Sequence, residues 1–183
     1  MKKITKFKKN KKKSFTIVEM IVSVSIFMII ITISSNFFIS AIRTQQRILA
    51  NQQIISQTSY ALDYMSRALR MARKDTSGDC ISPNTNYKKT ENGIEFKDYK
   101  GNCRKFFLDP DNKQIKQKLE GEILPLTYSN LEIVDFNINL RGEAQGDNLQ
   151  PRITLFLKVK KTGQKTTKQF QTSISQRNLD ILK

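Results

Sequence analysis

The sequence contains no histidine and no tryptophan, and it has only two cysteines. Without histidine, a Ser-His-Asp triad, a Cys-His nucleophile pair and every His-ligated metal site are excluded. Glycine and proline are also absent from the first 77 residues, so no helix breaker occurs there. All seven glycines and all four prolines lie beyond that point, beginning with Gly78 and Pro83. The chain is therefore predicted to have a helical N-terminal part and a C-terminal part of strands and turns.

Charge is distributed just as unevenly along the chain. The 32 Lys and Arg residues outnumber the 16 Asp and Glu residues, for a net charge of +16, and eight of the lysines lie within residues 1–13. Composition and charge together predict four segments. These are a basic leader over 1–14, an apolar helix over 15–42, an amphipathic helix over 43–76 and a β-rich head over 77–183.

The apolar helix is long enough to cross a membrane. A run of 23 residues without a charge separates Glu19 from Arg43, and about 20 apolar residues are enough to cross a bilayer. The run is longer than the apolar core of a cleavable secretory signal, and no small-residue cleavage site follows it, which favours a retained anchor. The basic leader predicts a single pass with a cytoplasmic N terminus and an exported head. A nucleic-acid-binding leader is the alternative interpretation.

Residues 43–76 are predicted to continue the helix with one apolar face. The apolar positions recur every three or four residues, at Ile48, Ile54, Ile55, Ala61, Leu62, Met65, Ala68, Leu69 and Ala72. We expect one helix from Phe15 to Lys74, with a basic last turn and Gly78 available as a stop. The apolar face needs a surface to cover it, and the head is the candidate.

Alternation with a period of two predicts antiparallel strands in the head. The alternating segments contain Ile94 and Phe96; Arg104 to Leu108; Ile115 to Leu119; Val134, Phe136, Ile138 and Leu140; Ile153, Leu155, Leu157 and Val159; and Phe170, Thr172 and Ile174. Turn-forming residues at 100–102 and 109–112 separate the first of these segments. Because each strand has one apolar face, we expect an α+β fold in which the amphipathic helix covers one side of an antiparallel sheet.

The most specific motif lies at the junction of leader and helix. Lysines at 11–13 are followed by Ser14, Phe15 and, four residues later, Glu19 inside the apolar run. This arrangement resembles the type IV prepilin motif, in which the residue before the Phe is usually Gly rather than Ser. The resemblance implies a type IV pilin-like fold, cleavage of the Ser14–Phe15 bond by prepilin peptidase, and N-methylation of Phe15. It also implies that Glu19 is the carboxylate used in filament assembly.

Glu19 has two interpretations on physical grounds. An ionised carboxylate in hydrocarbon is costly and needs a partner. Cleavage creates one, the α-amino group of Phe15, and the family's assembly pairs this glutamate with the amine of a neighbouring subunit. The alternative is that Glu19 lies close enough to the N terminus to reach headgroup water. We favour the assembly interpretation because the carboxylate, the Phe and the leader occur together.

A more diffuse resemblance indicates a subclass. Residues 64–72 and 171–179 are similar to segments of J-type minor pseudopilins and their pilus and competence relatives. This implies a minor subunit of a type II secretion pseudopilus or type IV pilus, first in the inner membrane and then in the filament. Its implied partners are other pilin subunits, prepilin peptidase, an inner-membrane assembly platform and membrane lipid. The alternative is a membrane-anchored exported binding protein, a pilus-tip adhesin or a DNA-binding subunit.

Few other residues are candidates for a functional site. Cys80 and Cys103 are predicted to form a disulfide rather than two free thiols, because an exported head meets an oxidising environment. Asp109, Asp111 and Asn112 are assigned to a turn, with a calcium site as the alternative. The lysines at 158, 160, 161, 165 and 168 could form a weak nucleic-acid-binding strip, although a solvated hairpin is favoured. No nucleophile–base pair is present, so we expect no enzyme and no cofactor.

Overall fold

A long helix is followed by eight strands in the computed structural model, which describes residues 14–143 and 149–177. Helix α1 spans Ile17–Arg70, and the strands are β1 (Tyr87–Thr90), β2 (Gly93–Lys97), β3 (Cys103–Asp109), β4 (Gln114–Leu119), β5 (Glu122–Pro125), β6 (Leu131–Arg141), β7 (Arg152–Lys161) and β8 (Thr167–Ser175). The expected α+β fold is confirmed. Residues 1–48 and 49–183 form two compact units. Apart from Ser14, the predicted leader lies outside the described residues.

The helix is shorter than the predicted span from Phe15 to Lys74, and the segment over 43–76 is not helical to its end. The backbone N–H of Ala72 bonds to the carbonyl of Leu69, at 3.2 Å, which tightens the last turn. The N–H of Arg73 then donates to the carbonyl of Lys97, at 2.9 Å. The chain therefore leaves the helix because a β-bridge to β2 takes over its hydrogen bonds, well before Gly78.

The buried face of the helix lies slightly differently from the predicted one. Its buried residues are Ala50, Ile54, Thr58, Ala61, Leu62, Met65 and Leu69. Ile48 and Ile55, which were predicted for this face, are 50% and 48% exposed. A helix turns by about 100° per residue, so Ile55 lies well round the helix from Ile54. Thr58 occupies the buried face instead, as a polar residue that apolar periodicity does not predict.

Two antiparallel sheets form the head, where the sequence predicted one. The larger sheet has the order β1-β2-β3-β4-β5, and the smaller has the order β6-β7-β8. Strands β1 and β5 were not predicted, since β1 has a single buried apolar residue and all four residues of β5 are exposed. Glu120 and Gly121 connect β4 to β5 with positive φ angles, as a tight hairpin turn requires.

The predicted alternation in β6 is wrong at its start. Ile133 is buried while Val134 is 47% exposed. The register between β6 and β7 shifts between Ile133 and Asp135. This β-bulge adds a residue to β6, so the side chains before and after it follow different alternation.

One hydrophobic core joins the second half of the helix to both sheets. Met65 and Leu69 from α1, Phe96 and Phe106 from the larger sheet, and Leu155 from the smaller sheet are all fully buried. The rings of Phe96 and Phe106 lie 5.5 Å apart. The amphipathic half of the helix is thus covered by the head, as expected.

Candidate functional site

The predicted cleavage position lies immediately before the helix, outside any regular secondary structure. Ser14, Phe15 and Thr16 are outside any helix or strand, and α1 begins at Ile17. All three residues are exposed, and the ring of Phe15 is 72% accessible. An exposed, non-helical peptide bond is the form in which backbone is most open to proteolysis.

A reciprocal capping arrangement fixes the start of the helix. The hydroxyl of Thr16 accepts a hydrogen bond from the N–H of Glu19, at 3.3 Å. In return, a carboxylate oxygen of Glu19 accepts from the N–H and the hydroxyl of Thr16, at 3.5 and 3.4 Å. This is a capping box of the form Thr-x-x-Glu. Thr16 was not among the residues predicted from the sequence, although its spacing from Glu19 is that of a capping box.

The helix that follows has the length and composition of a membrane span. Every residue from Ile17 to Leu49 is exposed within this chain. Several hydroxyls in this stretch bond back to the carbonyl four residues earlier, including those of Ser23, Ser25, Thr32 and Ser35. Their donors are therefore satisfied inside the helix, which lowers the cost of placing them in hydrocarbon.

The N-terminal sequence also matches a known family model. Residues 9–35 match the prokaryotic N-terminal methylation motif. The N-terminal segment is therefore similar to that of type IV prepilins. No curated protein and no solved structure is significantly similar to it. The motif and the apolar helix together fit membrane anchoring.

Cys80 and Cys103 form the disulfide that the sequence predicted. Their Cα atoms lie 5.2 Å apart, within the normal range for a disulfide. The bond joins the loop after the helix to the first residue of β3. It therefore holds that loop against the start of the central strand of the larger sheet.

Asp75 organises the same loop from inside. One of its carboxylate oxygens accepts from the N–H groups of Cys80 and Ile81, at 2.8 and 3.1 Å. The other accepts from the ammonium of Lys97 and the N–H of Gly78, both at 3.1 Å. Burial by itself raises the pKa of Asp75, but these hydrogen bonds and the ion pair hold it well below its usual range. The ion pair in turn raises the pKa of Lys97.

Groups from the head satisfy the carbonyls at the end of the helix. The hydroxyl of Tyr87 donates to the carbonyl of Leu69, at 2.7 Å. The N–H of Arg177 donates to Arg70, at 2.8 Å, and the side-chain amide of Gln176 donates to Ala72, at 3.0 Å. Gln176 and Arg177 follow β8, in the segment over 171–179 that resembles minor pseudopilins, whereas Tyr87 begins β1. Residues 178 and 179 of that segment lie outside the described residues.

The acidic turn after β3 is held by an ion pair. The ammonium of Lys116 lies 2.5 Å from a carboxylate oxygen of Asp109, and the amide of Asn112 donates to the same oxygen, at 2.7 Å. These contacts lower the pKa of Asp109 to about 2. Residues 14–143 and 149–177 contain no group of three His, Cys, Asp or Glu residues suited to a metal ion. The geometry is that of the predicted turn.

The predicted lysine strip does not form one continuous surface. Lys158 and Lys160 of β7 face outward, whereas Lys168 of β8 pairs with the buried Val159 and so lies on the other side of the sheet. Glu132 neutralises Lys160 at a distance of 2.9 Å. This separation and pairing weaken the case for a nucleic-acid surface there.

Proposed function

We propose that the protein is a minor pilin or pseudopilin of a type IV filament machine, either a type II secretion pseudopilus or a type IV pilus. Prepilin peptidase cleaves the Ser14–Phe15 bond and N-methylates Phe15. The mature subunit is anchored in the inner membrane with its head exported, and it assembles through its N-terminal helix and Glu19. The assembly platform of that membrane is a further proposed partner.

The observation that carries this proposal is the methylation motif over 9–35 together with the position of the helix start. The capping box fixes the first turn from Thr16 onward and leaves the Ser14–Phe15 bond exposed and outside the helix. A peptidase can therefore reach the bond without unwinding the helix. The disulfide supports an exported head, since such bonds persist in oxidising compartments.

The surroundings of Glu19 support its role in assembly. Among the described residues, its carboxylate has hydrogen bonds to Thr16 alone, and no charge follows until Arg43. A carboxylate has lone pairs for further donors. The amine that cleavage creates on a neighbouring subunit supplies both a donor and the opposite charge, so that the pair relieves two costly charges at once.

The first experiment measures the mass of the N-terminal peptide of protein from its native membranes. We expect a chain that begins with methylated Phe15. A Ser14→Gly variant, which restores the usual residue before the cut, should be processed at least as completely. If the wild type retains residues 2–14 while Ser14→Gly is cleaved, Ser14 blocks processing and the anchored-receptor alternative leads.

The second experiment separates the charge of Glu19 from its capping hydrogen bond. Glu19→Gln keeps the capping box, because glutamine serves equally at this position, but it removes the charge. We expect Glu19→Gln to lose co-purification with other pilins as fully as Glu19→Ala does. Thr16→Ala is the matched control, since it removes the cap at a cost of about 1 kcal/mol and keeps the charge. Normal assembly of Glu19→Gln would reduce Glu19 to a helix cap.

A further inference from the structure

Two arginines face each other at one end of the smaller sheet. Arg141 of β6 and Arg152 of β7 are direct register partners, and both are exposed. Arg141 follows Leu140, and Arg152 precedes Ile153. The side chains of Leu140 and Ile153 face the core. Because successive side chains of a strand point to opposite faces, both arginines lie on the outer face of the sheet. Neither makes an ion pair with a carboxylate of residues 14–143 or 149–177.

Two more arginines are connected to this end of the sheet through the backbone. Ser175 is the register partner of Arg152 on β8, and Arg177 follows two residues later. The backbone of Arg177 bonds to the carbonyl of Arg70 at the end of α1. Arg70 and Arg177 are likewise exposed. We call these four residues, Arg70, Arg141, Arg152 and Arg177, the arginine band.

The other end of the same sheet face is built differently. There Lys160 lies 2.9 Å from Glu132, and Lys158 stands opposite Asp135 in the register. Like charges directly opposite on neighbouring strands destabilise a sheet. The fold thus offsets its basic residues with carboxylates at the lysine end, whereas no carboxylate within residues 14–143 and 149–177 pairs with the two arginines. An uncompensated pair of this kind is suited to an anion from outside the chain.

The choice of side chain points to the chemistry of that anion. The sequence has 23 lysines and only nine arginines, yet four of the arginines form this band. A guanidinium presents a planar fork of donors that binds carboxylate or phosphate with two hydrogen bonds, which an ammonium cannot do.

We propose that the arginine band docks an acidic segment of a partner protein. A nucleic-acid strand is less suited, because a strand that follows β7 from Arg152 towards Lys160 meets the carboxylates of Asp135 and Glu132 on the same face. A short run of Asp and Glu side chains needs only the arginine end. The proposal goes beyond filament assembly through the helix and requires neither cleavage nor Glu19.

The test uses the full-length protein in a non-ionic detergent and a fluorescent octaglutamate peptide as the probe. Peptide binding is measured by anisotropy at low ionic strength, and again at about 0.15 M salt, where charges are screened beyond about 8 Å. We expect Arg141→Gln/Arg152→Gln to weaken binding by about tenfold, since two charge-assisted contacts are lost. Arg141→Lys/Arg152→Lys should fall between this variant and the wild type, because it keeps the charge without the fork.

Lys158→Gln/Lys160→Gln is the matched control, with the same loss of net charge on the outer face of the same sheet. It should change binding by less than about twofold, since exposed ion pairs contribute little. Equal losses in the two double variants, or no peptide binding by the wild type, would overturn the proposal. Tighter, arginine-dependent binding of octathymidylate would assign the surface to nucleic acid instead. If the double variant does not fold, the single variants Arg141→Gln and Arg152→Gln replace it, and each should weaken peptide binding.

Discussion

Replacing the carboxylate of Asp75 should destabilise the head far more than its single ion pair suggests. The side chain is fully buried, and only donors surround it. One carboxylate oxygen accepts hydrogen bonds from the N–H groups of Cys80 and Ile81. The other oxygen accepts hydrogen bonds from the ammonium of Lys97, the N–H of Gly78 and the hydroxyl of Ser77. A carboxylate, which only accepts, satisfies all of them at once.

Asp75→Asn keeps the shape of the side chain but turns one oxygen into an NH₂ donor. That donor must face either two backbone N–H groups or the ammonium of Lys97. Hydrogen bonds to charged groups contribute about 1.5–3 kcal/mol each, and a buried ion pair that loses one partner costs about 3–5 kcal/mol. We therefore expect the free energy of unfolding to fall by about 3–5 kcal/mol.

The assay is urea unfolding of the full-length protein in detergent, followed by near-ultraviolet circular dichroism. All five tyrosines lie between residues 60 and 128 and tryptophan is absent, so the signal reports on the head and the end of the helix that packs against it. Asp79→Asn is the control, because Asp79 is 70% exposed and contacts Lys97 at 3.4 Å. Its loss should stay below about 1 kcal/mol. Equal losses for the two variants would refute the reasoning.

The pH dependence follows from the same contacts. Despite the opposing effect of burial, hydrogen bonds hold the pKa of Asp75 below the ordinary value of 3.8. A group whose folded pKa is depressed contributes stability above its unfolded pKa, and that contribution is lost as the pH falls through the folded value. The wild type should therefore lose stability below about pH 4, and Asp75→Asn should lose less over the same range.

Three further predictions concern other contacts of the head. Replacing Cys80 and Cys103 by Ser should lower the free energy of unfolding by roughly 3 kcal/mol, and reduction of the wild type should do the same; no effect of reduction would show that the bond constrains little. Lys116→Gln should raise the pKa of Asp109 from about 2 towards 3.8, which an NMR titration would measure. An unchanged pKa would show that the contact with Lys116 does not lower it. Tyr87→Phe should cost about 1 kcal/mol in urea unfolding, whereas an unchanged midpoint would mean that water replaces the hydroxyl at the helix carbonyl.

Strong local patterns made most of the strands predictable. Alternation in the segments of β2, β3, β4, β7 and β8 reflects one buried face each, and the structure has strands at all of these positions. Edge strands such as β1 and β5 bury too little to show the pattern. The division into two sheets depends on contacts between distant segments, which alternation does not encode. The bulge before Asp135 likewise follows from pairing with β7.

The prepilin-like site and the contacts of the head also differ in how far they can be predicted from the sequence. The prepilin-like site lies within Ser14 to Glu19, so its residue types and spacing are visible in the sequence. The contacts of the head are long-range: Lys97 is 22 residues from Asp75, and Gln176 is 104 residues from Ala72. The sequence around Asp75 does not predict that Lys97 is its partner. Only the fold brings these groups together.

The two ends of helix α1 therefore depend on different parts of the protein. Its first turn is capped by Thr16 and Glu19, which are only three positions apart in the sequence. Its last turn is capped by Tyr87 and by residues after β8, which are in place only when the head is folded. Loss of the head's structure thus frees the carbonyls at Leu69 and Arg70 and leaves the capping box intact. We therefore expect changes at Glu19 and at Asp75 to act on separate properties, which are the proposed assembly role in the first case and the stability of the head in the second.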